Sequence, residues 1–459
     1  MKEETITAGS AGENKMGVMP VNKLLISMSL PIMISMLVQA MYNVVDSVFV
    51  GRLSEHALTA VSMAFPIQSL MIALGSGTAV GINAYLSRSL GEKNFKQADA
   101  AALNGIFLAL LSYGAFALFG LFGSHLYFSS QIDIPEIIHH GTDYLRICTL
   151  ASIGLFLQLT LERLLQSTGK TLYTMITQGT GAIINIILDP ILIFGLFGFP
   201  RMEVAGAAVA TVFGQCMAAV MAFFFNLKKN KELHFHFRSF RPDGHIIGQI
   251  YKVGVPSIIM QSIVSVMTFL LNKILLMFSS TAVSVLGVYF KLQSFIFMPV
   301  FGLNNGMIPI VAYNYGARKR KRITDTIKLS VVIAVGIMAV GILLFQLIPA
   351  PLIRMFNDSP ELLSMGVPAL RIISLSFVFA GICIVCSSVF QALGNGLYSL
   401  IMSVIRQIGF IVPVAYLFAV TLGLPAVWFS FPIAEISSIL MALFFLKKTY
   451  DKQLKDLPE

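Results

Sequence analysis

Charged residues are scarce in this chain. Asp, Glu, Lys and Arg make up 12% of its 459 residues, about half of the ~25% found in ordinary soluble domains. Hydrophobic residues make up 56%, the mean hydropathy is +0.81, and apolar runs long enough to cross a ~30 Å hydrocarbon core recur along the chain. This composition excludes a soluble enzyme and a large soluble domain on a single anchor. It predicts an all-α polytopic membrane protein.

Cysteines and motifs for catalysis or nucleotide binding are also few. The four cysteines, Cys148, Cys216, Cys383 and Cys386, lie in apolar segments, so Cys383-x-x-Cys386 is interpreted as packing rather than as a redox or zinc site. The chain has no G-x-x-x-x-G-K-S/T phosphate loop, no H-E-x-x-H and no G-x-S-x-G. We therefore expect neither an ATPase nor an intramembrane hydrolase, and an ion gradient is the expected energy source. The polar N-terminus lacks the apolar core of a signal peptide, so none is expected to be cleaved.

Twelve apolar segments have the length of membrane-spanning helices. They are residues 24–50, 57–87, 98–123, 137–161, 171–197, 204–227, 246–278, 282–314, 325–348, 362–390, 397–421 and 425–446. We call the first six the N-lobe (23–227) and the last six the C-lobe (246–446); the polar stretch 228–245 is predicted to link them, and 1–22 and 447–459 to be terminal tails.

Lys and Arg are concentrated on one side of this predicted membrane. Both termini and every second loop carry them, including the run 318–322, whereas the opposite loops hold only Arg52, Arg201 and Arg354. Positive residues mark cytoplasmic loops, so both termini are predicted to be cytoplasmic, in a bacterial plasma membrane. We call this side of the molecule the basic end.

The two halves are repeats of one another. A shift of 225 residues superposes Pro31 on Pro256, Gly81 on Gly306 and Gln166-x-x-Gly169 on Gln391-x-x-Gly394. Six spans per repeat is an even number, so both halves enter the membrane in the same orientation, related by an axis along the membrane normal. Such repeats, with a binding site between them, are typical of transporters.

The first helix carries a polar face that ends in a carboxylate. Ser35, Gln39, Asn43 and Asp46 follow one another at helical spacing. Acidic side chains within membrane spans are costly and mark functional sites by default. We therefore predict that this face borders a cavity. The alternative for Asp46 is a structural role as a hydrogen-bond acceptor near a helix end.

A second carboxylate lies in the fifth span. Asp189 follows Asn185 by one turn, and Gln178 extends the same face. The 225-residue shift carries Asp46 to Leu271 and Asp189 to Val414, so neither acid is demanded by the shared scaffold. A carboxylate removed from water can exchange a proton near neutral pH, which favours ion coupling. A structural role beside Pro190 is the alternative for Asp189.

Further intramembrane residues are weaker candidates. Pro31 removes a backbone hydrogen bond from the first helix and can bend it, or it can belong to the scaffold, as its repeat partner Pro256 suggests. Lys291, two residues before Gln293, could contact an anionic group in the cavity, although snorkelling to the membrane surface is the simpler interpretation. The other C-lobe candidates are the bases Lys273 and Arg406 and the acid Glu435.

Several segments together resemble the multidrug and toxic compound extrusion (MATE) family. They are the first helix, LPIMISMLVQAMYNVVDSVFVGRL, the end of the second, LSRSLGEKNFKQA, and the motif NIILDPILIFG in the fifth. The resemblance covers nearly the whole chain. It implies two six-helix bundles around a V-shaped central cavity, and export of drugs driven by a proton or sodium gradient.

The position of the acids resembles the DinF-like and MepA-like branch of that family, whose coupling acids lie in the N-lobe. The resemblance implies that Asp46, Asp189, Asn185 and Tyr144 form the ion-coupling site, and that Pro31 takes part in helix bending. Glu162 stands where some relatives carry an Asn, a departure that bears on the ion preference. From the residues alone, Glu162-Arg163 at a helix end could be a surface pair.

We predict a cation-coupled multidrug antiporter and not an enzyme. Small-molecule drugs or organic cations are the expected partners, with membrane lipids around a monomer and no nucleic acid. No cofactor and no metal centre are expected; the coupling ion is H⁺ or Na⁺, and Na⁺ would bind at Asp46, Asp189 and Asn185. Gln39, Asn43, Gln178, Lys291 and Gln293 are the candidate cavity residues. The alternative is a flippase for lipid-linked precursors or polysaccharides of the same superfamily.

Overall fold

The computed structural model describes residues 14–51, 55–236 and 240–458. Within this part of the chain, the side chains of residues 43–48, 50, 51, 55 and 58 are not described. All regular secondary structure in the described residues is helical. The fold class predicted from composition and periodicity is confirmed.

Nineteen α-helices follow one another in the described chain. They are α1 Lys15–Val18, α2 Val21–Gly51, α3 Glu55–Gly91, α4 Phe95–Phe122, α5 Ser124–Ser129, α6 Pro135–Leu150, α7 Ile153–Ser167, α8 Thr171–Phe194, α9 Glu203–Lys229, α10 Gly244–Leu276, α11 Ser280–Gly316, α12 Arg320–Leu347, α13 Pro349–Arg354, α14 Pro360–Ser374, α15 Phe377–Ala392, α16 Gly396–Val404, α17 Val412–Thr421, α18 Leu424–Val427 and α19 Ser430–Thr449. A 3₁₀ turn (Leu196–Gly198) follows α8, and π-helical segments occupy Ile405–Ile411 and Tyr450–Leu454.

In the part of the chain that the structure describes, ten helices are long and apolar enough to cross a membrane, and the number is twelve if each of two bent helix pairs is one span. The pairs are α6–α7, bent by 42°, and α14–α15, bent by 51°. The bends occupy matching places in the two repeats. At both, hydroxyl groups bond back to backbone carbonyls: Ser152 Oγ donates to Thr149 O at 2.7 Å and Ser376 Oγ to Ile373 O at 2.6 Å. Hydroxyls that insert into the helical ladder are a recognised cause of bending.

The lobes meet near the basic end through glycines that obey the 225-residue offset. A Cβ atom on Gly77 would come within 2.8 Å of the Ile258 backbone nitrogen, and one on Gly302 within 2.6 Å of Met33 Cα; Ile258 and Met33 are themselves repeat partners. The complete set is Gly77, Gly81 and Gly91 in α3 and Gly302, Gly306 and Gly316 in α11. We call these six residues the glycine seal. Because they lack side chains, α3 can lie against α10, α11 against α2, and α3 against α11 with their backbones in contact.

The segment before the first long helix packs against the C-lobe. Met16 in α1 is fully buried. Its carbonyl accepts hydrogen bonds from Asn314 Nδ2 at 3.0 Å and from Arg322 Nη2 at 2.9 Å, and Arg322 also donates to Met19 O at 2.8 Å. Residues 14–22, which the sequence assigns to a tail, therefore join the two lobes at the basic end.

The glycine seal generates a stability prediction. In Gly81→Ala the new methyl group would overlap the carbonyl oxygen of Ile250, and in Gly306→Ala it would crowd Ser29. We expect each variant to lose about 1–3 kcal/mol of unfolding free energy, the usual cost of overpacking, and to unfold at a lower temperature in detergent. Gly336→Ala is the matched control, because nothing lies within 4 Å of its Cβ position in α12. Equal unfolding temperatures for all three variants would contradict the role of the seal.

Candidate functional site

A central cavity of about 750 Å³ lies between the two lobes. Helices of both repeats line it, including α2, α7, α8 and α9 from the N-lobe and α10, α11, α15 and α19 from the C-lobe. Its size is that of a pocket for a drug-sized molecule. Its wall mixes apolar side chains with amides, hydroxyls and four charged groups, Glu162, Arg163, Arg406 and Glu435.

Glu162 is the acid of the N-lobe wall. It lies in α7 with 2% of its surface exposed. Its Oε1 accepts hydrogen bonds from Gln158 Nε2 at 3.1 Å and Thr177 Oγ1 at 3.0 Å, and its Oε2 accepts one from Gln178 Nε2 at 2.7 Å. These donors are all neutral, so they orient the carboxylate without cancelling its charge. The N-lobe wall thus presents an oriented carboxyl group to the cavity.

Arg163, the next residue, links the two lobes. Its Nη1 donates to Gln166 Oε1 within α7 and to Asn305 Oδ1 in α11, both at 2.9 Å. Only 8% of Arg163 is exposed. The interpretation of Glu162-Arg163 as a surface pair is therefore wrong. Both side chains turn inward because the membrane provides no water around this part of the helix.

Asp189 lies fully buried in α8, one turn beyond Asn185. In the amide orientation that satisfies its neighbours, Asn185 Nδ2 donates to Asp189 Oδ2 at 3.2 Å. Its Oδ1 then accepts from Thr211 N and Thr211 Oγ1 in α9, each at 3.1 Å. Asn185 and Thr211 line the cavity. Asp189 is thereby connected to the cavity through one amide.

Four of the residues singled out from the sequence border the cavity. Gln39, Gln178, Asn185 and Gln293 line it. Asn43 and Asp46 belong to α2, but their side chains lie outside the described residues. The predicted coupling role of Asp46 therefore stays a prediction.

Tyr144 and Pro31 lie in the packed parts of the structure. Tyr144, in α6, is 3% exposed and its hydroxyl accepts a hydrogen bond from Gln68 Nε2 at 3.1 Å. It packs in the N-lobe core with Ile193. Pro31 lies inside the continuous helix α2, where Ser35 Oγ donates to the Pro31 carbonyl at 3.0 Å.

Lys291 does not contribute to the cavity wall, which corrects the prediction that it lines the cavity. Its side chain is exposed, and Nζ lies 5.8 Å from the ring centroid of Phe356. Residues two apart on an α-helix point about 200° away from each other. Because Gln293 faces the cavity, Lys291 faces the outside of the helix, in agreement with the snorkelling alternative.

The C-lobe wall holds an ion pair that was not predicted from the sequence. Arg406, in the π-helical segment Ile405–Ile411, donates through Nη1 to Glu435 Oε1 in α19 at 2.9 Å. Both residues line the cavity. Each was a separate candidate in the sequence, but their separation of 29 residues across two helices gave no sign of the contact.

Comparison with known proteins identifies relatives over both repeats. The MatE family profile matches residues 31–191 and 256–417, and the two matches begin 225 residues apart, the offset of the internal repeat. The chain is 29% identical over 425 residues to the multidrug export protein MepA of Staphylococcus haemolyticus, covering 92% of this chain and 93% of that protein. It is 28% identical to MepA of Staphylococcus aureus strain MSSA476, covering 96% of each chain.

Solved structures share the fold. One is a multidrug resistance MATE family transporter of the MOP superfamily in an outward-facing conformation, with a TM-score of 0.91 and 24% identity, covering 98% of this chain and 100% of that chain. Another is a MOP superfamily transporter from Pyrococcus furiosus, also with a TM-score of 0.91, 24% identity and the same coverage.

The environment of Glu162 predicts a charge-dependent effect on ligand binding. Glu162→Gln keeps a hydrogen-bonding side chain of the same size but removes the negative charge. We expect the purified protein to bind the permanent cation tetraphenylphosphonium about tenfold more weakly, because the cation loses its electrostatic attraction to a carboxylate in low-dielectric surroundings. Glu361→Gln, which changes an exposed acid in the first turn of α14, is the control and should bind as the unmodified protein does. Equal affinities of the two variants would remove Glu162 from the binding site.

Proposed function

Because the chain belongs to the MatE family, we propose that it is a multidrug exporter of the bacterial plasma membrane. It exchanges organic, mostly cationic amphipathic compounds from the cytoplasm for H⁺ or Na⁺ entering from outside. The observation that carries this proposal is a pair of buried carboxyl groups on the N-lobe side of a drug-sized cavity: Glu162, beside Arg163 in the wall, and Asp189 behind Asn185. A carboxylate in low-dielectric surroundings attracts any cation that reaches it far more strongly than it would in water.

The rest of the wall suits ligands of varied shape. Five methionines of the described chain line the cavity, namely Met36, Met260, Met267, Met298 and Met402. Their unbranched, polarizable side chains adapt to different apolar surfaces, and adaptable surfaces of this kind accompany broad specificity. Amides such as Gln39 and Gln293 add both donors and acceptors. Charge would thus select cations as a class, while the methionines leave the shape of the ligand open.

The side-chain amide of Asn185 can couple ion binding at Asp189 to the cavity, because its nitrogen donates hydrogen bonds and its oxygen accepts them. When Asp189 is ionised and empty, the amide nitrogen can donate to the carboxylate, as in the orientation described above. When Asp189 carries a proton or holds Na⁺, the amide oxygen is the better neighbour, because it accepts from the acid or coordinates the ion. Carboxylate, amide and hydroxyl oxygens form a donor set suited to a hard cation, and Thr211 supplies the hydroxyl. Asp46 remains the predicted second carboxylate of this site.

The direction of exchange follows from the closure at the basic end. With the basic end in the cytoplasm, the glycine seal and the Arg163–Asn305 bond close the cavity on the cytoplasmic side. An ion arriving from outside reaches Asp189 in this state and neutralises the N-lobe, which weakens the hold on a bound organic cation. Export then requires that ion and substrate prefer opposite states, because only differential affinity can shift the equilibrium between them.

Uptake into inverted membrane vesicles tests the proposal. A fluorescent organic cation is supplied with a pH gradient and a Na⁺ gradient imposed separately. We expect one gradient to drive uptake, and Asp189→Asn to abolish the driven component while the protein still inserts and folds. Asp358→Asn changes an exposed carboxylate beyond α13 and should transport normally.

Two results would contradict the proposal. Uptake by Asp189→Asn at the rate of Asp358→Asn would remove Asp189 from the coupling site. Indifference of the unmodified protein to both gradients would contradict antiport altogether. Flipping of a fluorescent lipid-linked precursor in the same vesicles would then favour the flippase alternative.

A further inference from the structure

The C-lobe ion pair is placed where a ligand can reach it. About 25% of the Arg406 side chain is exposed, whereas 7% of the Glu435 side chain is exposed, and both residues border the central cavity. The Arg406 backbone belongs to a π-helical segment. Such segments are rare and occur frequently at functional sites.

Both partners of the pair retain unused hydrogen-bonding capacity. Glu435 Oε1 accepts from Arg406, but its Oε2 is buried and meets no hydrogen-bond partner among the described residues. Ser438 lines the cavity one turn further along α19. Its Oγ is also buried and has no hydrogen-bond partner among the described residues. The guanidinium of Arg406 has five N–H groups in a planar fork, and its hydrogen bond to protein within the described chain uses Nη1. An unused donor set and an unused carboxylate oxygen therefore lie side by side.

The repeat shows that the fold does not require this pair. The 225-residue offset places Gly181 and Ala210 at the N-lobe positions of Arg406 and Glu435. There the helices approach each other closely, since a Cβ on Gly181 would lie 3.0 Å from Gly214 O. Small residues thus suffice to join the equivalent helices. Burying an ion pair is a poor route to stability, which leaves ligand binding as the reason for this one.

The charge balance of the pair selects the chemistry of its ligand. A ligand that is only cationic would be repelled by Arg406, and one that is only anionic would be repelled by Glu435. A zwitterion meets neither obstacle, because its carboxylate can accept from the free N–H groups of Arg406 while its ammonium donates to Glu435 Oε2 and Ser438. The Nη1–Oε1 bond persists in this arrangement.

We propose that Arg406 and Glu435 form a C-lobe subsite for the zwitterionic group of aminocarboxylate substrates. The proposal rests on the proposed function and refines it: the acidic N-lobe wall takes the organic cations, and the C-lobe subsite extends the range to neutral compounds that carry both charges. In this division each lobe recognises a different class of compound within one cavity.

A matched pair of ligands tests the subsite. The probes are Nε-dansyl-lysine, a fluorescent compound whose α-ammonium and α-carboxylate are separated by one carbon, and its methyl ester, which is a monocation at pH 6. Binding is measured by fluorescence with the purified full-length protein. In the double variant Arg406→Gln, Glu435→Gln the two amides can still bond to each other. We expect affinity for the acid to fall at least about tenfold, as two charge-assisted contacts are lost, with affinity for the ester unchanged.

Two further variants make the result decisive. Arg406→Lys keeps the ion pair but replaces the planar fork with a compact ammonium, so the same selective loss is expected even if the double variant folds poorly. Arg354→Gln, Asp358→Asn removes an exposed pair outside the cavity and should bind both probes normally. Unchanged affinity for the acid in both Arg406 variants, or an equal loss for acid and ester, would overturn the subsite.

The proposed function fails in a different way. If the unmodified protein does not bind the ester, the cation site is wrong. If the unmodified protein binds the ester, but the ratio of its affinities for acid and ester is the same in the Arg406 variants, only the C-lobe subsite is wrong.

Discussion

A hydrocarbon environment cannot solvate charged side chains, and the arrangement of this protein depends on that constraint. Apart from Asp189, which is fully buried beside Asn185, the charged residues described within the spans lie either at the basic and opposite surfaces or at the cavity between the lobes. Lys291 lies at a surface, whereas Glu162, Arg163, Arg406 and Glu435 lie at the cavity. A cavity lined by buried charges is therefore a direct result of having so few of them in so apolar a chain.

The two repeats share their packing and differ in their chemistry. Glycines at matched positions join the lobes, and bends at matched positions shape spans four and ten. The charged groups of the cavity do not follow the repeat: Asp189 corresponds to Val414, and Arg406 to Gly181. A duplicated scaffold thus provides a pseudo-symmetric closure around an asymmetric site. In the function that we propose, one lobe of this asymmetric site holds the coupling ion while both contact the substrate.

Much of the fold and part of the site could be predicted from the sequence. Span length, the 225-residue offset and the helical spacing of Gln178 and Asn185 are local or periodic signals, and in the structure both amides lie on the cavity wall. Lys291 was misplaced although its spacing of two from Gln293 already indicated an opposite face. The hydrogen bonds of Glu162 to Thr177 and Gln178 connect two different helices, and so does the Arg406–Glu435 contact. Such contacts depend on tertiary packing, for which a single sequence has no periodic signal.

The central claim is that ion and organic cation compete for one negatively charged N-lobe. Equilibrium binding of a fluorescent organic cation to the purified protein, measured over a series of pH values and Na⁺ concentrations, tests it without any membrane gradient. The account predicts that raising the concentration of the coupling ion, H⁺ or Na⁺, weakens binding of the cation, and that Asp189→Asn removes this dependence. Binding of the organic cation that stays constant while both ion concentrations are varied would contradict it.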